Sequence, residues 1–164
     1  MYLCRNVKSD TMRARAISEN RELVDIIQRC QVCHVAMTDM DGKPYVIPMN
    51  FGYSDGMIYL HGAQNGKKVD ILKQHPEVCI NFTTDHLLRY QNEEVACSWS
   101  MKYRSVLCYG KVEFINEPEE KKAVFQLVMA HYAKGEFKFN PPSIREVNVM
   151  KIKVERFEGR VYGY

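Results

Sequence analysis

The chain has 164 residues, of which 46% are hydrophobic and 26% charged, with a formal charge of +3. That length suits one domain that buries a core without staples, and a charge so small with no Lys/Arg block argues against nucleic acid as a partner. No apolar run of ~18 residues is present to span a membrane, and MYLCRNVKSD carries no apolar leader, so a soluble cytoplasmic protein is expected.

Residues 1–17 read as a polar, basic arm with Arg5, Lys8, Arg13 and Arg15, a candidate flexible segment. Ser18 or Asn20 can cap a helix over residues 20–31 that turns Leu23, Ile26 and Ile27 to one face. Residues 32–40 form a strand ended by Asp41-Gly42, residues 45–53 the next strand, and Ser54-Asp55-Gly56 a second hairpin signal. Residues 57–63 are the third strand. A turn follows, and Val69, Ile71 and Leu72 belong to a short helix that stops before Pro76. Residues 78–84 return to strand, and residues 85–94 read as a polar loop. Residues 95–101 and 105–115 are two further strands, with Gly110 as a candidate bulge. Pro118 opens a helix of about 16 residues with Ala123, Leu127, Val128 and Ala130 as its apolar stripe, on the 3.6-residue period. Residues 135–143 are loop, and residues 147–157 a last strand before Gly159. Closely spaced strands with hairpin turns predict a mainly β fold, a six- or seven-stranded antiparallel barrel with a few peripheral helices in one domain over residues 1–164.

Six cysteines in a chain of this size, without a leader, read as free thiols rather than a disulfide framework. Cys79, Cys97 and Cys108 fall in strand-like runs and are expected to be buried. Cys30-Gln31-Val32-Cys33-His34 matches C-x-x-C-H, the haem-attachment spacing, but Cys33 and His34 on one strand face opposite ways. With no second C-x-x-C or H-x₃₋₅-H, no metal site is expected.

The stretch Gly62-Ala63-Gln64-Asn65-Gly66-Lys67-Lys68 is one residue short of a P-loop and carries Lys68 where a magnesium-binding hydroxyl belongs, which argues against nucleotide hydrolysis. Two cations in the first turn of a helix oppose its dipole by roughly 0.3–1 kcal/mol each. Either both lysines swing into water or an anion sits against that helix start; this stretch alone leaves both open. Trp99 to Val106 forms a second cluster of aromatic and cationic side chains, the arginine suited to paired recognition of oxygens. His61 ends a strand beside the glycine-lysine turn, and spacing does not decide between a ligand and a half-buried strand histidine.

The segments KPYVIPMNFGY, GMIYLHGAQNGKKVDILKQHPEVCINF and KYRSVLCYGKVEFI, in that order and spacing, resemble the pyridoxamine 5′-phosphate oxidase-like split-barrel flavoproteins over roughly residues 12–160. Within that group the resemblance is nearest to the 5-nitroimidazole reductase (nitroimidazole-resistance) proteins. It implies a homodimeric split β-barrel with FMN in a groove between subunits. Lys67 and Lys68, with Gly66, stand where the family holds the flavin phosphate. Pro48, Met49, Asn50 and Phe51 stand where a strand passes the isoalloxazine edge, and His61, Gly62 and Ala63 where the ring or ribityl chain lies. Tyr103, Arg104 and Ser105 match a second flavin-contacting strand, reaching the cofactor held mainly by the other protomer. The subgroup places a histidine at the position of His61 beside the flavin, which makes His61 the catalytic candidate.

The segment RFEGRVYGY has no tryptophan where the oxidase proper carries an Arg/Trp-containing substrate segment, which argues against vitamin B6 oxidation. FMN-dependent reduction of a small aromatic substrate is therefore expected. A haem-handling split barrel and a non-catalytic flavin-binding protein are the alternatives, and FAD can replace FMN because the lysines sense only a phosphate.

Overall fold

In the computed structural model, which describes residues 14–135 and 137–164, eight antiparallel strands form one sheet. The chain runs β1 (Arg15–Ile17), α1 (Asn20–Arg29), β2 (Cys33–Thr38), β3 (Pro44–Met49), β4 (Phe51–Ser54), β5 (Met57–Ala63), α2 (Lys67–Gln74) and β6 (Glu77–Arg89). A 3₁₀ turn at Ala96–Ser98 precedes β7 (Ser100–Ile115), α3 (Pro118–Tyr132), α4 (Pro141–Arg145) and β8 (Val147–Tyr162).

The spatial order is β3-β2-β6-β7-β8-β5-β4, with β1 paired to β8. β3 and β4 are the two edges, yet only Asn50 separates them in the chain. One residue spans at most ~3.6 Å, so the sheet must wrap until its edges nearly meet. They remain unpaired, and the result is the mainly β split barrel expected, with eight strands rather than six or seven. The wrap encloses Val35, Phe51, Ile58, Leu60, Ile80, Phe82, Val106 and Ile152, all without solvent contact. α1 turns Leu23, Ile26 and Ile27 into this core, the face expected. A second cluster, Ile115, Val124, Val128 and Val149, seats α3 on the outside of the sheet.

Local chemistry accounts for the departures. Asp55 (φ 49°) and Gly56 (φ 78°) both take the left-handed conformation a two-residue hairpin needs, so β4 and β5 pair tightly as expected. The expected strand over residues 45–53 is instead two strands broken at Asn50. β6 does not stop before Asp85: that residue adopts φ 57° at a register shift between Thr84 and Leu87, and the ladder resumes at Leu87–Lys102. Two arginines hold the Asp85 carboxylate, Arg29 at 2.5 Å and Arg104 at 2.6 Å. Residues 95–99 form no strand, because Ser98 bonds both the N–H and the carbonyl of Asn92, offering the backbone a local alternative to a ladder. Cys97 is consequently exposed and Cys79 half-buried, and only Cys108 of the expected three is buried.

The α3 stripe is also displaced. Ala123 and Ala130 are exposed, whereas Val124, Val128 and Lys121 are buried, the lysine sending Nζ to the Val147 carbonyl at 2.8 Å. Of the basic arm, Arg15–Ile17 forms β1, and residues 1–13 lie outside the described residues. Among the described residues no helix is long and apolar enough to cross a membrane.

Candidate functional site

β5 delivers His61, Gly62 and Ala63 to the end of the sheet, and a three-residue turn leads into α2. The Asn148 side-chain amide pins that turn by donating to the Gln64 and Ala63 carbonyls at 2.9 and 3.2 Å. Gly66 caps α2 with φ 117°, a conformation that favours glycine, and its carbonyl accepts the Val69 and Asp70 N–H groups. The N–H groups of Lys67 and Lys68 precede the first intrahelical bonds and stay open to a ligand.

The two lysines are not equivalent. Successive helical residues point about 100° apart, and here they find different surroundings. Lys67 is spoken for: its Nζ lies 3.1 Å from Asp39 Oδ2 and 4.8 Å from the centre of the Tyr45 ring. Asp39 is itself nearly buried and also accepts the Asp41 and Lys43 N–H groups. Lys68 is half-buried, with Met49 Sδ at 3.9 Å as its hydrogen-bond partner and no carboxylate partner among the described residues. A Cβ placed on Gly62 would come 2.5 Å from Lys68 Nζ, so the glycine is what lets the ammonium reach the strand. Burial lowers the Lys68 pKa from its usual value.

His61 shares this pocket of positive potential. Burial, and secondarily the Lys68 charge, lower its pKa below 6.5, so the imidazole is neutral at pH 7. Its Nδ1 is buried with no hydrogen-bond partner, and its ring leans on Phe125 at 5.3 Å. Phe125 in turn meets Phe139 at 5.9 Å, which gives that loop aromatic a place. Between the unfolded pKa near 6.5 and the lower folded one, only the unfolded chain binds the proton, so stability falls as pH drops through 6.5. The expected result is a ligand-free protein whose melting temperature declines from pH 7.5 to 5.5 more steeply than that of His61→Gln. Parallel melting curves for the two proteins would contradict it.

Pro48–Phe51 occupies the crossing between the two edges. Pro48 and Asn50 are exposed and Met49 is buried beside Lys68. Phe51 puts its ring in the core, 4.8 Å from Phe82 and 4.4 Å from His131, so it offers nothing outward but backbone. Its N–H donates to the Tyr132 hydroxyl at 3.0 Å. His131 meets the Cys30 carbonyl through Nε2 at 2.8 Å.

Tyr103, Arg104 and Ser105 lie elsewhere. On β8 they pair with Arg160–Tyr162, whereas His61 pairs with Val149. Val149 and Val161 are separated by about 40 Å of extended chain at ~3.3 Å per residue. Tyr103 stacks on Tyr162 at 5.9 Å, and Arg104 is engaged by Asp85 and by the Tyr164 ring at 4.1 Å. One chain therefore gathers Met49, His61, Gly62, Gly66 and Lys68 at one end and carries residues 103–105 at the other.

The C-x-x-C-H run straddles the end of α1 and the start of β2, with Cys33 buried and His34 exposed on opposite faces. Burial pushes the Cys30 thiol up to about 11 and the Cys33 thiol to about 12, and both donate to carbonyls. Protonated thiols of this kind are poor metal ligands, and no cluster of three His, Cys, Asp or Glu able to hold a metal occurs among the described residues.

A family model described as pyridoxamine 5′-phosphate oxidase matches residues 19–161. The chain belongs to that family. Among solved structures, a candidate 5-nitroimidazole antibiotic resistance protein from Bacteroides thetaiotaomicron is 40% identical, over 92% of this chain and 89% of that one, with a TM-score of 0.83. An FAD- and haem-binding protein from Mycobacterium smegmatis shares the fold at 15% identity and TM-score 0.79, over 91% and 74% of the two chains. An FAD-binding protein from Mesorhizobium loti does so at 20% identity and TM-score 0.65, over 92% and 99%. Among curated proteins no relative matches. The pyridoxamine 5′-phosphate oxidase family thus includes this split barrel, with the glycine-lysine turn at the end of β5 as its distinctive local chemistry.

Proposed function

We propose that the chain is an FMN-dependent oxidoreductase that reduces small nitroaromatic compounds of the nitroimidazole type, working as a homodimer. The observation that carries this reading is Lys68, a half-buried cation with no carboxylate partner among the described residues, set against a glycine strand and a helix start. Leaving a desolvated ammonium without a counter-charge is costly unless an anion completes the site. The open N–H groups of the α2 first turn and the orphaned His61 Nδ1 add donors and an acceptor of the kind a phosphate-bearing ring compound uses. The 40% identity to the Bacteroides protein supports the nitroimidazole substrate class.

Bound FMN supplies the two-electron chemistry. In this reading Lys68 and the α2 N-terminus hold the phosphate, and the Met49–Asn50 backbone borders the ring. His61, neutral at rest and walled by Phe125, would take up a proton from solvent and pass that proton to the substrate. Full turnover in a flavin-loaded His61→Ala protein would remove that histidine from the proton step.

The homodimer completes the site. Past Asp85, the β6/β7 arm presents Leu87, Leu88 and Met101 to solvent at 53%, 55% and 43% exposure. A second copy covering this arm would bring residues 103–105 of one protomer to the Lys68 end of the other. Leu88→Glu is expected to weaken the dimer by about 2 kcal/mol, the size of an interface hot spot, read by sedimentation, and to lower flavin occupancy with it.

The deciding experiment is the visible spectrum of the purified, dialysed protein, with chromatography of what acid releases. Two broad flavin bands and released FMN support the proposal; released FAD keeps the flavin chemistry and changes the tenant. A sharp Soret band, or a colourless protein that binds no FMN on titration, overturns it.

A further inference from the structure

We infer that Tyr132 is a positioning residue for the flavin-facing crossing at Pro48–Phe51, an inference that rests on the flavin reading above. Asn50 is the single residue carrying the chain from one sheet edge to the other. Phe51 opens an edge strand whose outer side has no strand partner, and a buried N–H there requires an acceptor. The Tyr132 hydroxyl is that acceptor, at 3.0 Å, and it donates onward to the Gln31 carbonyl at 2.9 Å. Gln31 lies in the turn leading into β2, the neighbour of β3. One phenol therefore ties the β2/β3 side of the split to the β4 side. His131 alongside it holds the preceding carbonyl, Cys30, at 2.8 Å.

The tie has little slack. At Gly52, the next residue along β4, an added Cβ would stand 3.2 Å from the Val128 Cα, so helix and strand backbones are already in close approach. Phe51 is wedged between Phe82 and His131. With Phe51 immobile, the path of Met49–Asn50 is set by where Tyr132 holds it. The Met49 carbonyl also accepts the Cys33 thiol at 3.4 Å. Asn50 is exposed, and its side chain makes no hydrogen bond among the described residues, so the residue stays available to the groove.

Tyr132→Phe keeps the ring and the helix packing and deletes both hydrogen bonds. Expected are amide exchange at Phe51 at least about tenfold faster in the ligand-free protein, FMN binding about tenfold weaker, and a shifted or broadened visible band of the bound flavin. Leu23→Ala is the control, since Leu23 packs against Gly159 in the core rather than at the crossing. It should lower the melting temperature and leave FMN affinity and spectrum unchanged. If Tyr132→Phe speeds Phe51 exchange but binds FMN with wild-type affinity and spectrum, the hydroxyl is only structural and the inference falls. It also falls if Leu23→Ala changes affinity and spectrum as much. A wild-type protein that binds no FMN overturns the flavin reading and this inference together, an outcome distinct from failure of the variant alone.

Discussion

Replacing Lys68 with methionine is expected to weaken FMN binding by about 10- to 150-fold, the loss of one charge-assisted contact worth ~1.5–3 kcal/mol. The same replacement at Lys67 should cost less than about fivefold. Lys67 is 57% exposed and already paired with Asp39, and such surface pairs carry ~0–1 kcal/mol. Riboflavin separates phosphate recognition from general damage: it lacks the phosphate, so Lys68→Met should bind it as the wild type does. Equal loss of FMN and riboflavin would show that the lysine supports the fold of the pocket rather than the anion.

Stability should move the other way. The ammonium of Lys68 is partly desolvated and its folded-state pKa is lowered, so at neutral pH its charge opposes folding of the ligand-free protein. Lys68→Met is therefore expected to melt no lower than the wild type without ligand, and to gain less from added FMN. A residue that destabilises the empty protein and binds in the filled one is what a ligand site requires; a merely solvated lysine would show neither effect.

Much of this site is written locally. The run from Met57 to Gln74 holds a strand, a glycine turn and a helix start in sequence neighbours, and there the expected and observed elements coincide. What separates Lys67 from Lys68 is not local: it is Asp39, 28 residues earlier, brought in by the hairpin before β3. Likewise PYVIPMNFGY has the composition of one strand, and only the wrapping of the sheet makes Asn50 a break between its edges. Residues 85–94 read as a polar loop, and its first part, 85–89, is strand because β6 continues through a left-handed aspartate whose arginine partners come from α1 and β7. Tyr132 escaped notice for the same reason. Its two partners lie 81 and 101 residues away, and nothing in the helix around it marks a tyrosine as the acceptor for an edge strand.

Gly110 is the position where one added carbon should do most harm. It was legible as a bulge, and the β7–β8 register does slip between Tyr109 and Gly110, pairing them with Arg156 and Val154. A Cβ there would overlap the Lys153 carbonyl oxygen and stand 2.8 Å from Ile152 Cγ2. Backbone cannot rotate aside as a side chain does. β7 cannot retreat either, because Val78 of β6 pairs with Gly110 from the other side. Gly110→Ala is accordingly expected to cost about 3 kcal/mol, the upper end for overpacking, and to lower the melting temperature by roughly 6–12 °C in a chain of this size. Gly42→Ala measures the opposite case: Gly42 has a φ of 77° and no atom within 4 Å of an added Cβ, whereas Gly110 has no left-handed φ and only the overlap, so ~1–2 kcal/mol of backbone strain is expected at Gly42. If both variants lose the same amount, β8 yields at the bulge. The strand that joins the Lys68 end to residues 103–105 is then more pliable than its pairing implies.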